Sequence, residues 1–226
     1  MVFILVLLTF AAFITYDVIR HHGLVEETAG EVVPKGTASE KRHVSVGRRG
    51  EIAVPKGLYY HQGHTWAKLL NEDTVEIGID DFAEKFMGEI EKVDLPKPGT
   101  KVQQGEPAIA IKRGGRTLKL VAPVTGKVVQ TNEHVEMDPD VINESPYEEG
   151  WMARIKPTSL KDNLRNLFNA DLAGNWMKLL KHTFMTRYAN DYAMAMQDGG
   201  ELAPGFGMSL NDEQWKEITE EFFKNY

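Results

Sequence analysis

Residues 111–119 read IKRGGRTLK, a glycine pair between two segments in which apolar and polar residues alternate. A two-residue turn of type I′ needs positive φ at both central positions, which glycine adopts without strain. The pattern therefore predicts a β-hairpin that turns at Gly114-Gly115. Pairing outward from the turn predicts three facing pairs, which are Arg113 with Arg116, Lys112 with Thr117, and Ile111 with Leu118. In that register four residues share the inner face: Ile109, Ile111, Leu118 and Leu120.

The hairpin belongs to a longer region, residues 53–160, built of short alternating segments separated by glycine and proline. Such segments are typical of half-buried strands, and many short strands predict a sandwich or barrel. The predicted strands are residues 65–70, 74–79, 89–94, 107–112, 116–121, 126–131 and 150–155. Two interruptions are predicted to be helical: residues 80–88, which begin with Asp80-Asp81 and end at Gly88, and a short turn around 139–144.

Composition excludes several classes of function. The formal net charge of −7 over 226 residues argues against a general nucleic-acid binder, because phosphate contacts need a strongly basic surface. Without cysteine, the chain has no disulfide, zinc-thiolate site or thiol redox chemistry. His61 and His64 have a His-x-x-His spacing but no obvious third ligand, so no metal site is predicted. Phosphate loops and nucleophile motifs are missing, and we expect neither enzymatic activity nor a bound cofactor.

Residues 1–20 are predicted to form a retained transmembrane helix. Residues 1–19 contain one charged residue, Asp17, and about 20 apolar helical residues can cross a hydrocarbon layer of ~30 Å. The alternatives are a cleaved signal peptide, which would carry positive charge before its apolar run, and a buried core helix. Basic residues follow the run, beginning with Arg20, which predicts a single-pass membrane protein with a cytoplasmic globular part. The polar residues 21–52 are predicted to be a solvated tether.

Residues 161–226 are predicted to form a helical extension. Ser159 with Asp162 has the pattern of a helix start, and Asn211 with Gln214 has that of a capping box. Two apolar stripes recur at helical spacing: Leu172, Trp176, Leu179, Leu180, Phe184 and Tyr188 in one helix, and Trp215, Ile218, Phe222 and Phe223 in the next. These faces pack on the chain's own core, on another subunit or on a membrane surface. The candidate contacts with another subunit are Trp176, Phe184, Trp215 and Phe222.

Several motifs in the β region resemble the glycine cleavage H-protein family in order and spacing. They are HTW at 64–66, GIDDFA at 78–83, GEI at 88–90, VDLP at 93–96, PGT at 98–100, GEP at 105–107, APVTG at 122–126, NESPY at 143–147 and GW at 150–151. The resemblance covers residues 53–160. It implies a lipoyl-type, barrel-sandwich hybrid domain of two small antiparallel sheets packed face to face, with a helix after the last strand.

In that family a lysine at a hairpin tip carries the lipoyl group, and it lies seven residues before the alanine of the following Ala-Pro-Val motif. Counting seven residues back from Ala122 gives Gly115, so the resemblance implies a lost lipoylation site. Lys112 and Lys119 lie along the predicted strands, away from the tip. The alternative is a lipoyl carrier of acyl or aminomethyl groups, modified at Lys112 or Lys119, that serves a membrane-localised pathway.

The hairpin and the strand after it form a basic region. Between Pro107 and Asn132 there is no acidic residue and there are five basic ones: Lys112, Arg113, Arg116, Lys119 and Lys127. Arginine at a hairpin tip suits a carboxylate or phosphate, so the basic tip either docks on an acidic protein surface, binds anionic lipid or is merely solvated. We expect a non-catalytic, non-lipoylated, membrane-anchored subunit that scaffolds a larger membrane complex. A respiratory or redox complex is one candidate for that assembly.

Overall fold

The structure is a computed structural model that describes residues 52–188, 196–197 and 201–224. In this part of the chain the strands are β1 (Tyr59–His61), β2 (Thr65–Asn71), β3 (Thr74–Ile79), β4 (Lys92–Asp94), β5 (Lys101–Val102), β6 (Pro107–Arg113), β7 (Arg116–Val121), β8 (Gly126–Thr131), β9 (Ala153–Pro157), β10 (Phe168–Asn169), β11 (Met196–Gln197) and β12 (Glu201–Leu202). The α-helices are α1 (Asp81–Met87), α2 (Glu133–Met137), α3 (Asp140–Glu144), α4 (Leu160–Arg165), α5 (Ala170–Tyr188) and α6 (Asp212–Phe223), and a 3₁₀ helix spans Phe206–Ser209.

Two antiparallel sheets enclose the main core. The larger has the order β10-β1-β2-β3-β9-β8-β5 and the smaller the order β4-β6-β7, while β11 and β12 pair separately. Inward-facing residues of both sheets belong to one buried cluster, which includes Val75, Ile77, Val128 and Ile155 from the larger sheet and Ile109, Ile111, Leu118 and Leu120 from the smaller. The prediction of a mainly β, sandwich-like fold with added helices is therefore confirmed.

A second apolar cluster lies on the opposite face of the larger sheet. Tyr60, Trp66 and Gly78 are direct neighbours across β1, β2 and β3. A Cβ on Gly78 would lie 2.5 Å from Cζ2 of Trp66, so the indole ring occupies the space above this glycine. Trp66 is fully buried, and its Nε1 donates to the carbonyl of Pro146 at 3.1 Å.

The predicted hairpin is confirmed residue by residue. Arg113 pairs with Arg116, Lys112 with Thr117 and Ile111 with Leu118. Gly114 and Gly115 have φ of +55° and +78°, as a type I′ turn requires. The four predicted inner residues, Ile109, Ile111, Leu118 and Leu120, are all buried.

Other boundaries differ from the prediction. The strand predicted at 89–94 begins only at Lys92, and the one predicted at 150–155 is Ala153–Pro157, because Gly150 still belongs to a turn in which its N–H donates to the carbonyl of Ser145. The short elements β1, β5 and α2 were not predicted.

In the C-terminal region the predicted helices form, but one face differs. The capping box of α6 is present, with the Asn211 and Gln214 side chains accepting from each other's backbone N–H. In α5 the buried residues are Ala173, Met177, Leu180 and Phe184, whereas Leu172 and Leu179 of the predicted stripe are 56% and 66% exposed. The predicted stripe is therefore divided, with Leu180 and Phe184 in the core and Leu172 and Leu179 exposed, because the buried face also includes Ala173 and Met177.

The predicted anchor over residues 1–20, and the predicted tether except its last residue, lie outside the described residues. Across 52–188, 196–197 and 201–224, no helix combines the length and apolar character that crossing a membrane demands.

Candidate functional site

The tip of the β6–β7 hairpin carries no side chain. Around the position that a Cβ on Gly115 would occupy, no atom of a non-adjacent described residue lies within 4 Å. A Cβ on Gly114 would lie 2.9 Å from Cε of Met208, so the turn is in close contact with the C-terminal region on one side only. At this tip there is no amine that could be acylated.

The two lysines nearest to the tip lie along the strands, as predicted. Lys112 of β6 forms an ion pair with Asp94 of the neighbouring strand β4, and the hydrogen bond from its ammonium group lowers the pKa of the Asp94 carboxyl. Lys119 of β7 is exposed and lies opposite Ala110. Neither amine extends from the turn itself.

Arg113 connects the hairpin to the end of α1. Its Nη1 donates to the carbonyl of Met87 at 2.6 Å, and its Nη2 lies 3.9 Å from the exposed carboxylate of Glu89. The guanidinium occupies a narrow space between two glycines, since a Cβ on Gly88 or Gly205 would lie 2.3 or 2.6 Å from Arg113 Nη1. Both glycines have positive φ. The close approach of these three residues fixes the direction of the Arg113 side chain.

Arg116 connects the hairpin to the C-terminal region. Its Nη1 donates to the carbonyl of Gly207 at 3.1 Å, and its Nη2 donates to the carbonyl of Leu210. The guanidinium carbon lies 4.8 Å from the centre of the Trp215 ring, a cation–π geometry. Asp212 lies 3.6 Å from Nη2. The two arginines, for which docking on an acidic protein surface, binding of anionic lipid and simple solvation were the alternatives, bind backbone carbonyls of their own chain.

Residues 201–224, which we call the C-terminal cap, cover α1 and the hairpin. The N–H of Gly205 donates to the carbonyl of Lys85 at 2.7 Å. The Phe206 ring lies 5.2 Å from Phe86 and 5.0 Å from Phe184, and the Phe223 ring lies 4.8 Å from Phe86. Aromatic rings of the cap thus complete the core around α1.

Beneath the cap lies a buried His64–Asp80 pair. The Nδ1 of His64 lies 2.9 Å from Oδ2 of Asp80, and both side chains are fully buried. Rings of Phe82, Trp176 and Phe223 stand 4.5, 5.0 and 4.8 Å from the imidazole. The Nε2 of His64 has no hydrogen-bond partner among the described residues. Because three rings and the cap enclose it, this pair is out of reach of a substrate in solution.

Asp80 also begins helix α1. Its Oδ1 accepts from the backbone N–H groups of Phe82 and Ala83 at 3.1 and 3.0 Å.

His61 accepts from the N–H of Gly63 through Nδ1. Burial, with smaller contributions from His64 and Lys224, lowers the pKa of His61 to about 4. Within the described part of the chain, no group of three or more potential ligands could bind a metal ion.

The four aromatic residues predicted as partner contacts all have contacts within the chain. Phe184 and Phe222 are buried in the main core. Trp176 and Trp215 are partly buried, and Trp215 lies 5.0 Å from the Phe86 ring. The structure therefore supports the alternative in which these faces pack on the chain's own core. For the exposed edges of the two tryptophans, contact with a partner stays a prediction.

The two packed sheets and the β6–β7 hairpin of the smaller one define a class of fold, the lipoyl-type barrel-sandwich domain. The family model of the glycine cleavage H-protein matches residues 58–180, more than half of the chain. The chain belongs to the glycine cleavage H-protein family. The matched stretch ends before the C-terminal cap begins.

Individual relatives agree with the family. A probable glycine cleavage system H protein of Thermococcus kodakarensis is 38% identical over 131 residues, covering 58% of this chain and 97% of that protein. The glycine cleavage system H protein of Bacillus licheniformis is 39% identical over 119 residues, covering 53% and 92%. A crystal structure of the H protein from Mycobacterium marinum shares 28% identity and covers 46% of this chain and 87% of that one, with a TM-score of 0.44.

Proposed function

We propose that this chain is a non-lipoylated H-protein relative that serves as a non-catalytic docking subunit of a membrane complex, anchored through residues 1–20. The observation that carries the proposal is the hairpin tip, where Gly114-Gly115 replaces any acylatable side chain and the flanking arginines bind the chain's own backbone. A carrier needs an arm that moves freely between partners. A tip tied to α1 through Arg113 and to the C-terminal cap through Arg116 has the opposite property.

The anchor is supported by the sequence of residues 1–19, which carries a single charge. Docking is supported by the outer face of α5, where Leu172 and Leu179 lie two turns apart and are mostly exposed. We infer that these two leucines belong to a contact with another subunit. We expect the partner to be another subunit of the same membrane complex.

The intact mass of the full chain, purified from the cell that makes it, tests the loss of the carrier role. We expect the mass of the unmodified sequence. The competing function, a lipoyl carrier, is favoured by the exposure of Lys119. An added lipoyl mass that disappears in Lys112→Arg or Lys119→Arg would establish that competing function and overturn the proposal.

Purification in mild detergent, with identification of the co-purifying chains, tests the docking role. Leu172→Glu with Leu179→Glu should remove the co-purifying subunits without unfolding the domain, because both side chains are exposed. Lys178→Glu, exposed on the same helix, is the matched control and should leave them in place. Recovery of the native chain alone, with no stoichiometric partner, would contradict docking.

Fractionation tests the anchor separately. The full chain should remain with membranes after washing at high salt, and deletion of residues 1–20 should release it. Protease added to sealed, right-side-out vesicles should leave the globular part intact if it is cytoplasmic. A mature N-terminus beginning after residue 20 would exclude a retained anchor.

A further inference from the structure

Three lysines form a row across the open end of the larger sheet. Lys101 of β5 is directly opposite Lys127 of β8, and Lys127 is directly opposite Lys156 of β9. All three are exposed. Neighbouring strands are about 4.8 Å apart, so the row is about 10 Å long. Like charges directly opposite each other on one sheet face repel, which makes this arrangement unfavourable unless an anion neutralises it.

The adjacent row on the same face shows how the fold neutralises cations elsewhere. There Glu76 lies between Lys68 and Arg154, and its carboxylate oxygens lie 3.9 Å from Lys68 Nζ and 2.9 Å from Arg154 Nη2. Glu76 itself is only 4% exposed. The lysine row has no such central carboxylate. Within the described residues, Lys101 and Lys127 make no ion pair, and Lys156 reaches only the exposed Asp73 at 3.9 Å.

The complementary pattern occurs on α6. Glu213, Glu217 and Glu220 are spaced i, i+4, i+7, which places them on one narrow stripe of the helix. At 1.5 Å per residue the stripe is also about 10 Å long. The first two are exposed, and the Glu220 side chain is 46% exposed beside Lys216. The opposite face of α6 packs against the core through Ile218, Phe222 and Phe223.

The two patches cannot meet within one molecule. The lysine row lies on the outer face of the larger sheet, because its neighbours Val128 and Ile155 point into the core. Helix α6 lies over α1 and the hairpin of the smaller sheet. We propose that the lysine row of one copy binds the acidic stripe of α6 in a second copy, so that the protein associates head to tail. Such a contact joins two different surfaces and leaves one of each free at the ends.

The association should be weak and sensitive to salt. Exposed ion pairs each change an equilibrium by at most about fivefold. Three pairs therefore increase the association constant by up to about 100-fold. At physiological ionic strength the Debye length is about 8 Å, so salt screens the ion pairs and lowers this increase. The inference is independent of lipoylation, so it can fail while the proposed function stands.

Sedimentation velocity of the full chain in mild detergent, over a range of concentration at low and high salt, tests the proposal. The native chain should associate at low salt. Reversal of the lysine row (K101E/K127E/K156E) or of the acidic stripe (E213K/E217K/E220K) should weaken association by up to about 100-fold. The control K56E/K161E/K178E makes the same charge change at exposed lysines elsewhere and should associate better than the lysine-row variant.

Mixing gives the decisive result. Each reversed variant alone carries two patches of like charge and should not associate with itself, whereas the two variants mixed together present complementary patches and should associate. The sixfold variant carrying both reversals should again associate with itself. A native chain that stays monomeric at low salt overturns the proposal, as does association that the lysine-row reversal leaves unchanged. Loss of co-purifying chains in the lysine-row variant, without self-association of the native chain, would also overturn it and would assign the row to a different acidic partner.

Discussion

The guanidinium of Arg116 lies over the ring of Trp215, 4.8 Å from its centre, while its nitrogens donate to the carbonyls of Gly207 and Leu210. Arg116, beside the hairpin turn, thereby holds the C-terminal cap, which lies about 90 residues later in the chain. The side chain is 19% exposed, so these interactions are largely shielded from water.

Arg116→Ala should destabilise the domain by about 2–3 kcal/mol, because hydrogen bonds from a charged group to two backbone carbonyls are lost. Arg116→Lys should recover little, since an ammonium group lacks the planar fork that reaches both carbonyls. Urea unfolding of the full chain measures the effect. Lys119→Ala, exposed on the same strand, is the control and should change stability by less than about 0.5 kcal/mol. Equal effects of Arg116→Ala and Lys119→Ala would contradict this role.

Two glycine-to-alanine changes should have opposite signs. Gly78→Ala places a methyl group 2.5 Å from Trp66, which is fixed by its bond to Pro146, and overpacking of this kind costs about 1–3 kcal/mol. Gly174→Ala in α5 meets no described atom within 4 Å and should stabilise the helix by about 0.5–1 kcal/mol. Thermal unfolding should therefore move the two melting temperatures in opposite directions. A stabilising Gly78→Ala would show that Trp66 can move aside.

Gly115→Lys should not restore an efficient lipoyl carrier. The new side chain has room, but φ at this position is +78°, which strains any residue other than glycine by roughly 1–2 kcal/mol. The flanking Arg113 and Arg116 bind the carbonyls of Met87 and Gly207, so the turn is held against its own chain and is poorly presented to a lipoylating enzyme. Intact mass after co-expression with a lipoylating enzyme is the measurement, with an ordinary H protein as the positive control. Near-complete modification of the variant would show that the glycine alone prevents lipoylation.

Stability should depend on pH through His61. Its pKa is lowered from an ordinary value of 6.5 to about 4, chiefly by burial. Between these two pKa values the unfolded chain binds a proton at His61 that the folded chain does not. The contribution of His61 to the free energy of unfolding is therefore complete above pH 6.5 and is lost as the pH falls toward 4. The slope is at most about 1.4 kcal/mol per pH unit.

His61→Gln should remove this part of the pH dependence while keeping an acceptor for the N–H of Gly63. Urea unfolding of both proteins between pH 4 and 7 measures the difference. His182→Gln, exposed on α5, is the matched control and should retain the native slope. A stability difference between His61→Gln and the native chain that stays constant over this range would assign the pH dependence to other groups.

The elements that could be predicted are those specified by local chemistry. The type I′ turn at Gly114-Gly115 determines the register of β6 and β7, and the Asn211–Gln214 capping box determines where α6 begins. The buried face of α5 could not be predicted from periodicity, because faces that contain Leu172 or Ala173 both fit the helical spacing of the apolar residues. Tertiary packing selected the smaller residue.

The partners of Arg113 and Arg116 were missed for a different reason. They are backbone carbonyls of Met87, Gly207 and Leu210. Because every residue has a backbone carbonyl, the sequence does not indicate which of them an arginine binds. The His64–Asp80 pair did leave a signal. Thr65 pairs with Ile79 across β2 and β3, so the residues just beyond them, His64 and Asp80, are brought together by the strand register.

The aromatic rings that the cap contributes around α1 also determine when folding can finish. The ribosome makes Phe206 and Phe223 long after Phe86, which both of them contact. Both sheets of the sandwich can therefore assemble during synthesis while α1 still exposes its aromatic face. A message truncated after codon 188 would yield a chain with a nearly complete sandwich and an uncovered apolar surface, a species prone to aggregation and proteolysis.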